Sequence, residues 1–187
     1  MEDEQTSLDY PTPELQSSLV HLRKWTFEDL ACIEAAGTDP NIPQGTTVPA
    51  RYTEAEGRAF IERQWGRQTS GQGLSLAIAE AATDEAKGLV FLGLDRIRGH
   101  CNLGYWIIPE ARRQGLGTEA ILLVSRWVLT ETDVHRLVAQ VVPDNEPSLA
   151  LLRRCGFTEE GLLRSWLWIE DETHDVIQFS LLASDLE

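Results

Sequence analysis

One stretch limits what this chain can fold into more than any other. Cys101–Ile108 reads as an apolar strand, and Pro109-Glu-Ala-Arg-Arg-Gln-Gly-Leu-Gly-Thr118 joins it to a segment in which Ala120, Ile121, Val124, Trp127 and Val128 recur at helical spacing. A strand that feeds an amphipathic helix through so short a turn folds that helix back onto the sheet, which requires α/β layers. Gly115 and Gly117 let the backbone take positive φ and approach a ligand with no Cβ in the way. Successive N–H groups can then share one concavity with the positive end of the helix, an arrangement that suits a pyrophosphate. A Walker loop is excluded because no Gly-Lys-Ser/Thr follows, and the dinucleotide pattern lacks its third glycine.

The remaining segments supply the rest of an α/β domain. Leu19–Arg23 reads as a strand, and Thr26-Phe-Glu-Asp29 has the capping-box form that opens a helix to about Ala36. Asp39–Pro43 and Gly45 mark a loop, and Thr53-Glu-Ala-Glu56 opens a helix carrying Phe60, Ile61 and Trp65. Leu74, Leu76 and Ile78 alternate with Ser75 and Ala77, the period of a strand buried on one face. The turn at Asp84–Lys87 leads into Leu89–Ile97, and with Cys101–Ile108 these strands form an antiparallel meander. Arg136–Val142, a helix from Asn145 to Cys155, and a hairpin of Leu162–Ile169 with Val176–Leu182 complete the order. The expected fold is a mixed, mostly antiparallel seven-stranded sheet flanked by four helices, in one domain over residues 18–187. Residues 1–17, polar and acidic with Pro11 and Pro13, read as a tail.

Composition narrows the function. Sixteen basic against thirty acidic residues give a net charge of −14, which argues against a nucleic-acid partner and permits a cationic substrate. Charge is balanced only in the middle: Gly104–Phe157 holds six basic and six acidic residues, Arg112 and Arg113 among them, whereas residues 1–30 hold two basic and seven acidic. An anion site therefore belongs near the glycine turn. No apolar run approaches the roughly 18–20 residues that span a bilayer, and the acidic start Met1-Glu-Asp-Glu does not resemble an export signal, so a cytoplasmic location without membrane contact is expected. Cys32, Cys101 and Cys155 match no zinc spacing and leave an odd thiol in any disulfide scheme, so they read as small buried hydrophobes with no metal implied.

Leu103-Gly-Tyr-Trp-Ile107, Arg112-x-x-Gly115-x-Gly117, Asn145-x-x-Ser148 and Cys155-Gly-Phe157 together resemble the GCN5-related N-acetyltransferase (GNAT) superfamily, over about Leu19–Leu182. The late His174-Asp175 makes the chain most similar to the branch that acetylates ribosomal-protein N-termini. The resemblance implies acetyl-CoA as co-substrate and an amine acceptor, either a protein N-terminal α-amine or a small cationic amine such as a polyamine or aminoglycoside. A non-catalytic acyl-CoA sensor is the alternative, and a homodimer is left open. It implies further that backbone N–H groups of Arg113, Gln114, Gly115, Leu116, Gly117 and Thr118 hold the pyrophosphate, with Arg112 beside them. Ile107 and Ile108 would pair through their backbones with pantetheine, and one of them would offer an N–H to the oxyanion. Asn145 would bond the pantetheine, and Arg153 or Arg154 would reach an adenosine phosphate. The strands carrying Ile107 and Gln140 would splay apart around the thioester.

Two positions depart from the wider family. Leu152 stands where many members have an acidic tyrosine, and Asn102 where relatives often have a glutamate base. Ser148 is then the substitute acid, unless it only caps its helix. Asp95 and His100 are the candidate bases, Asp95 the one carried forward, against the plainer reading of each as a solvated turn residue and the alternative of a water chain. His174-Asp175 reads as a structural turn pairing with a hold on the substrate amine as the lesser reading, Trp166 and Trp168 as core residues sharing a strand face with a substrate wall as the lesser reading, and His21 and His135 as ordinary strand residues.

Overall fold

The computed structural model describes residues 7–186 of the 187. Its strands are β1 Leu15–Gln16, β2 Val20–Arg23, β3 Gly73–Glu80, β4 Ala86–Leu94, β5 His100–Ile107, β6 Arg136–Val141, β7 Thr158–Ile169 and β8 Glu172–Leu182. They form one sheet in the order β1-β2-β3-β4-β5-β6-β8-β7. Every neighbouring pair is antiparallel except β5 and β6. The helices are α1 Leu30–Gly37, α2 Ile42–Gly45, α3 Glu54–Thr69, α4 Leu116–Glu131 and α5 Glu146–Arg154.

The mixed α/β architecture is the expected one, with one strand and one helix more than expected. The extra strand, β1, lies inside the segment read as a tail: Leu15 and Gln16 pair with Leu22 and His21. Leu8 is buried, and His21 takes Glu14 on one ring nitrogen and Asp84 on the other, each at 2.9 Å. Structure thus begins before residue 17, and His21 is a tie between three segments rather than an ordinary strand residue. Residues 1–6 of the proposed tail lie outside the described residues. The extra helix, α2, is a single turn in the expected loop, started by the Asp39 carboxylate, which accepts from Asn41 N–H at 2.8 Å and Ile42 N–H at 3.0 Å.

The helices cover both faces of the sheet. Trp25 meets Phe60 of α3 edge-on at 5.8 Å and lies 6.1 Å from Trp106 of β5. On the other face, a Cβ at Gly117 of α4 would lie 3.5 Å from Ile107 Cγ1. Neighbouring strand residues project to opposite faces, so α3 and α4 sandwich β5. This arrangement corrects the one-face reading of β3: seven of its eight residues are buried, because Ser75, Ala77 and Ala79 are small enough to lie beneath a helix on the second face. All three cysteines are buried and unbonded to one another, and burial pushes the Cys101 thiol up to about 12 and the Cys155 thiol up to about 11.

The tryptophans of β7 depart from the core reading. None of the twelve residues of β7 is buried, and Trp166 and Trp168 are 55% and 69% exposed. β7 is the edge of the sheet, and its register against β8 breaks between Leu163 and Leu167, where Ser165 takes φ +48°. Asp175 holds that bulge by accepting from Ser165 N–H at 2.8 Å, so the aspartate of His174-Asp175 has a structural partner. No helix among the described residues is long and apolar enough to cross a membrane.

If the N-terminal segment is part of the folded unit, Leu8→Ala removes buried apolar contacts and should cost about 2–3 kcal/mol. Urea unfolding measures this directly; a loss below about 0.5 kcal/mol would return residues 7–16 to the status of a tail.

Candidate functional site

The only parallel contact among the described residues is short. β5 and β6 pair through His100–Asn102 and Arg136–Val138, after which β5 continues to Ile107 and β6 to Val141 without each other. Each strand keeps its outer partner, β4 for β5 and β8 for β6, so the two diverge within an otherwise continuous sheet. Backbone direction along β5 follows from three bonds. Ile108 N–H donates to Lys87 O at 2.9 Å, on the β4 side, and Gly99 O accepts from His135 N–H and Arg136 N–H on the β6 side. Alternation then points the N–H and C=O groups of Leu103, Tyr105 and Ile107 into the gap. Ile108 is turned the other way, which corrects the expectation that its N–H serves the pantetheine or the oxyanion.

The glycine turn lies at the open end of this gap. A 3-10 turn, Pro109–Ala111, follows β5, and then Arg113 and Gly115 take φ +61° and +86°. Gly115 is the left-handed N-cap of α4, so the helix begins at Leu116, two residues earlier than expected. Gly117 sits inside the helix and needs no positive φ; a Cβ there would come within 3.2 Å of Leu151 Cδ1, so its role is close packing of α4 on α5. The first helical bond runs from Glu119 N–H to Gly115 O at 3.0 Å, which leaves the N–H groups of Leu116, Gly117 and Thr118 without partners in their own helix. Three such donors beside a left-handed turn, facing an edge of unpaired strand amides, fit a pyrophosphate followed by an amide-bearing arm.

The arginines of the region divide. Arg112 donates through Nε to Ile107 O at 3.0 Å and through NH2 to Asp39 Oδ2 at 2.7 Å. Its guanidinium is therefore paired with a carboxylate, which offsets the positive charge expected of it beside the glycine turn. Burial alone would raise the Asp39 carboxyl, but the Asn41 and Ile42 N–H groups and Arg112 outweigh it and hold the carboxyl below its usual range. Arg153 pairs with Glu159 at 2.7 Å. Arg113 and Arg154 are exposed and enter none of the ion pairs found among the described residues.

Ser148 and Asp95 are not brought together. Asp95 N–H bonds His100 O, at the closed end of the gap and five residues along β5 from Tyr105, about 17 Å at strand rise. Its carboxylate accepts from Ile97 N–H at 3.3 Å and from Asn102 Nδ2 at 3.4 Å, and the Ile97 bond is the largest cause that keeps its pKa low, which weakens it as a base. His100 lies beside it, with ring centroid 5.3 Å from that of His135; burial, His135 and Arg136 all lower its pKa. At Ser148 the helix cap is a different residue: Asn145 Oδ1 accepts from Ser148 N–H at 3.3 Å. Asn145 is thus the cap of α5, and the Ser148 hydroxyl is left for another partner. That partner is Tyr105, whose hydroxyl donates to Ser148 Oγ at 3.0 Å. Tyr105 was visible in the Gly-Tyr-Trp motif, but a contact across 43 residues has no local signal. Leu152 is fully buried and offers no proton.

Two cavities, of about 230 and 840 Å³, lie along residues 7–16 and away from this gap. Among the described residues no cluster of three or more His, Cys, Asp or Glu side chains is placed to hold a metal ion.

Asp39→Asn keeps an oxygen for the Asn41 and Ile42 N–H groups but removes the charge that Arg112 meets, and should cost about 1–2 kcal/mol at pH 7. A depressed carboxyl stabilises the fold above its unfolded pKa and loses that contribution as pH falls through the folded value. The difference from wild type should therefore shrink below about pH 4, as urea unfolding across pH would show. A difference independent of pH would mean that the charge pairing contributes nothing.

Comparison with known proteins agrees with this geometry. Residues 20–158 match the family described as acetyltransferase (GNAT) domain. An uncharacterized N-acetyltransferase p20 of Bacillus licheniformis is 28% identical over 172 residues, 91% of this chain and 97% of the relative. The [ribosomal protein uS5]-alanine N-acetyltransferase of Escherichia coli is 33% identical over 85 residues, 46% of this chain and 44% of the relative. Among solved structures, Mycobacterium smegmatis RimJ in complex with CoA-disulfide superposes with a TM-score of 0.78 at 24% identity, covering 89% of this chain and 83% of that one. With a match that runs through the splayed strands, the glycine turn and α5, the protein belongs to the GNAT acetyltransferase family and is an acetyl-CoA-dependent acetyltransferase.

Proposed function

We propose that the acceptor is the N-terminal α-amine of a polypeptide, of the ribosomal-protein kind. The observation that carries this reading is the hairpin beside the gap. Trp166 Nε1–H donates to Gln140 Oε1 at 2.9 Å, and Gln140 belongs to β6, the strand that bounds the gap. Leu162, Trp166, Leu167 and Trp168 are all exposed on this one strand. Exposed aromatic side chains, with Trp166 bonded to a strand that bounds the gap, suit a peptide chain and are more than a small amine needs. The Escherichia coli relative, named for a ribosomal protein alanine, supports the same class of acceptor. The net charge of −14 favours approach of a basic polypeptide.

In this reading the backbone donors of residues 113–118 hold the pyrophosphate, and the Ile107 N–H, which faces the gap, stabilises the oxyanion. The neutral amine attacks the acetyl carbon, the C–S bond breaks, and the thiolate takes a proton from Ser148. Water at the open mouth receives the proton that the amine releases, because Asp95 is too distant and too acidic to do so.

An acceptor screen of N-terminal peptides, polyamines and aminoglycosides, read by thiol release from acetyl-CoA, tests the class. Turnover should be highest with peptides, and Trp166→Ala should raise the peptide KM about tenfold with little change in acetyl-CoA affinity. Preference for a polyamine or aminoglycoside, or thiol release that no acceptor increases, overturns the reading. Ser148→Ala should lower kcat about 10²-fold while acetyl-CoA affinity is kept. Because Asn145 rather than Ser148 caps α5, the helix start is kept, and the loss of stability should not exceed the roughly 1–3 kcal/mol that the lost Tyr105 hydrogen bond can cost. A stable variant with more than half its turnover, where chemistry limits the rate, removes Ser148 from the mechanism.

A further inference from the structure

We infer that Tyr105 is a positioning residue that aims the Ser148 hydroxyl into the gap and supports the charge that builds on it. The inference rests on Ser148 being the proton donor.

Tyr105 projects from β5 on the face that carries α4 and α5, as Ile107 does two residues later. Its hydroxyl lies 3.0 Å from Ser148 Oγ and 3.4 Å from Ser148 O, so both of its near partners belong to one residue. α5 follows β6 in the chain, so this bond crosses from the strand on one side of the gap to the element beyond the other. Ser148 is also held from behind, its N–H on Asn145 Oδ1. Backbone and side chain of Ser148 are therefore both fixed over the gap.

The direction of the proton follows from donor and acceptor capacity. A phenol has one proton to give, and a serine hydroxyl has one proton and two lone pairs. Burial pushes the Tyr105 hydroxyl up to about 12, against a smaller downward pull from Ser148, so it stays protonated across the neutral range. With the Tyr105 proton on Oγ, the serine's own proton is directed away from the ring. As it moves to the thiolate, negative charge develops on Oγ, and the Tyr105 donor stabilises that charge. The balance closes without an added reagent: the amine loses one proton on becoming an amide, the thiolate gains one as the C–S bond breaks, and water returns a proton to Ser148.

Tyr105→Phe keeps the ring and removes only the hydroxyl. The test is a double-mutant cycle of Tyr105→Phe and Ser148→Ala, measured as kcat with the acceptor the screen selects, together with acetyl-CoA Kd and melting temperature. A second measurement needs no acceptor: coenzyme A itself is bound, and ionisation of its thiol is followed by thiolate absorbance. Tyr105→Phe should lower kcat about tenfold when Ser148 is present and less than twofold when it is Ala, with Kd within about twofold. The bound thiol should titrate higher in Tyr105→Phe, by about 0.5 or more, again only when Ser148 is present. An equal effect in both backgrounds, or none in either, makes Tyr105 a packing residue and overturns the inference. If Ser148→Ala itself leaves turnover and the thiol titration unchanged, the proton-donor reading of Ser148 is what has failed.

Discussion

The structure depends on a pairing that stops. β5 is parallel to β6 for three residue pairs and to nothing on that edge afterwards, while β4 and β8 keep both strands in the sheet. Apart from Ile107 O, which accepts from Arg112, peptide groups on the β5 edge of the gap have no strand partner, and an unpaired backbone group is costly wherever water is excluded. An extended, amide-bearing ligand arm has the hydrogen-bonding groups to complete such a ladder. The gap is therefore both the defect in the sheet and the place where a pantetheine fits, and the glycine turn and the start of α4 gain their meaning from standing at its mouth.

Two side-chain links span the gap region from opposite faces. On the α4 and α5 face, Tyr105 of β5 meets Ser148 at the start of α5. On the α1 and α3 side, Asp39 reaches Arg112, and Arg112 in turn reaches Ile107 O. The first fixes the Ser148 hydroxyl at the start of α5. The second ties the loop after α1 to the end of β5, using a guanidinium that sequence alone assigns to the phosphates. The site is thus framed by one neutral and one charged contact, and Arg113 and Arg154 remain exposed outside both.

The terminal hairpin is the part of the domain most open to a partner. β7 is an edge strand without a buried residue, and its bulge at Ser165, held by Asp175, interrupts the straight edge that would invite pairing with another chain. Exposed aromatic side chains on such a strand fit recognition better than core packing, and the Trp166–Gln140 bond connects that surface to the gap.

Much of the fold was legible in the sequence because it is encoded locally. The helical spacing of Ala120–Val128, the glycines at 115 and 117, and the Asn145-Glu-Pro-Ser148 helix start each specify their element through steric and periodic rules that act within a few residues. Burial of the three cysteines was legible for the same reason of residue chemistry. What the tertiary structure decided is which strand faces what. Periodicity places Trp166 and Trp168 on one face but does not say that β7 stands at the edge, and it reads β3 as half buried when its small residues lie under a helix. Strand direction turned Ile108 away from the gap. Contacts across the chain took Arg112 to Asp39, 73 residues away, and joined Tyr105 to Ser148. A strand or helix is specified by neighbours a few residues apart, whereas a catalytic contact is specified by the order of strands in the sheet, which no local pattern contains.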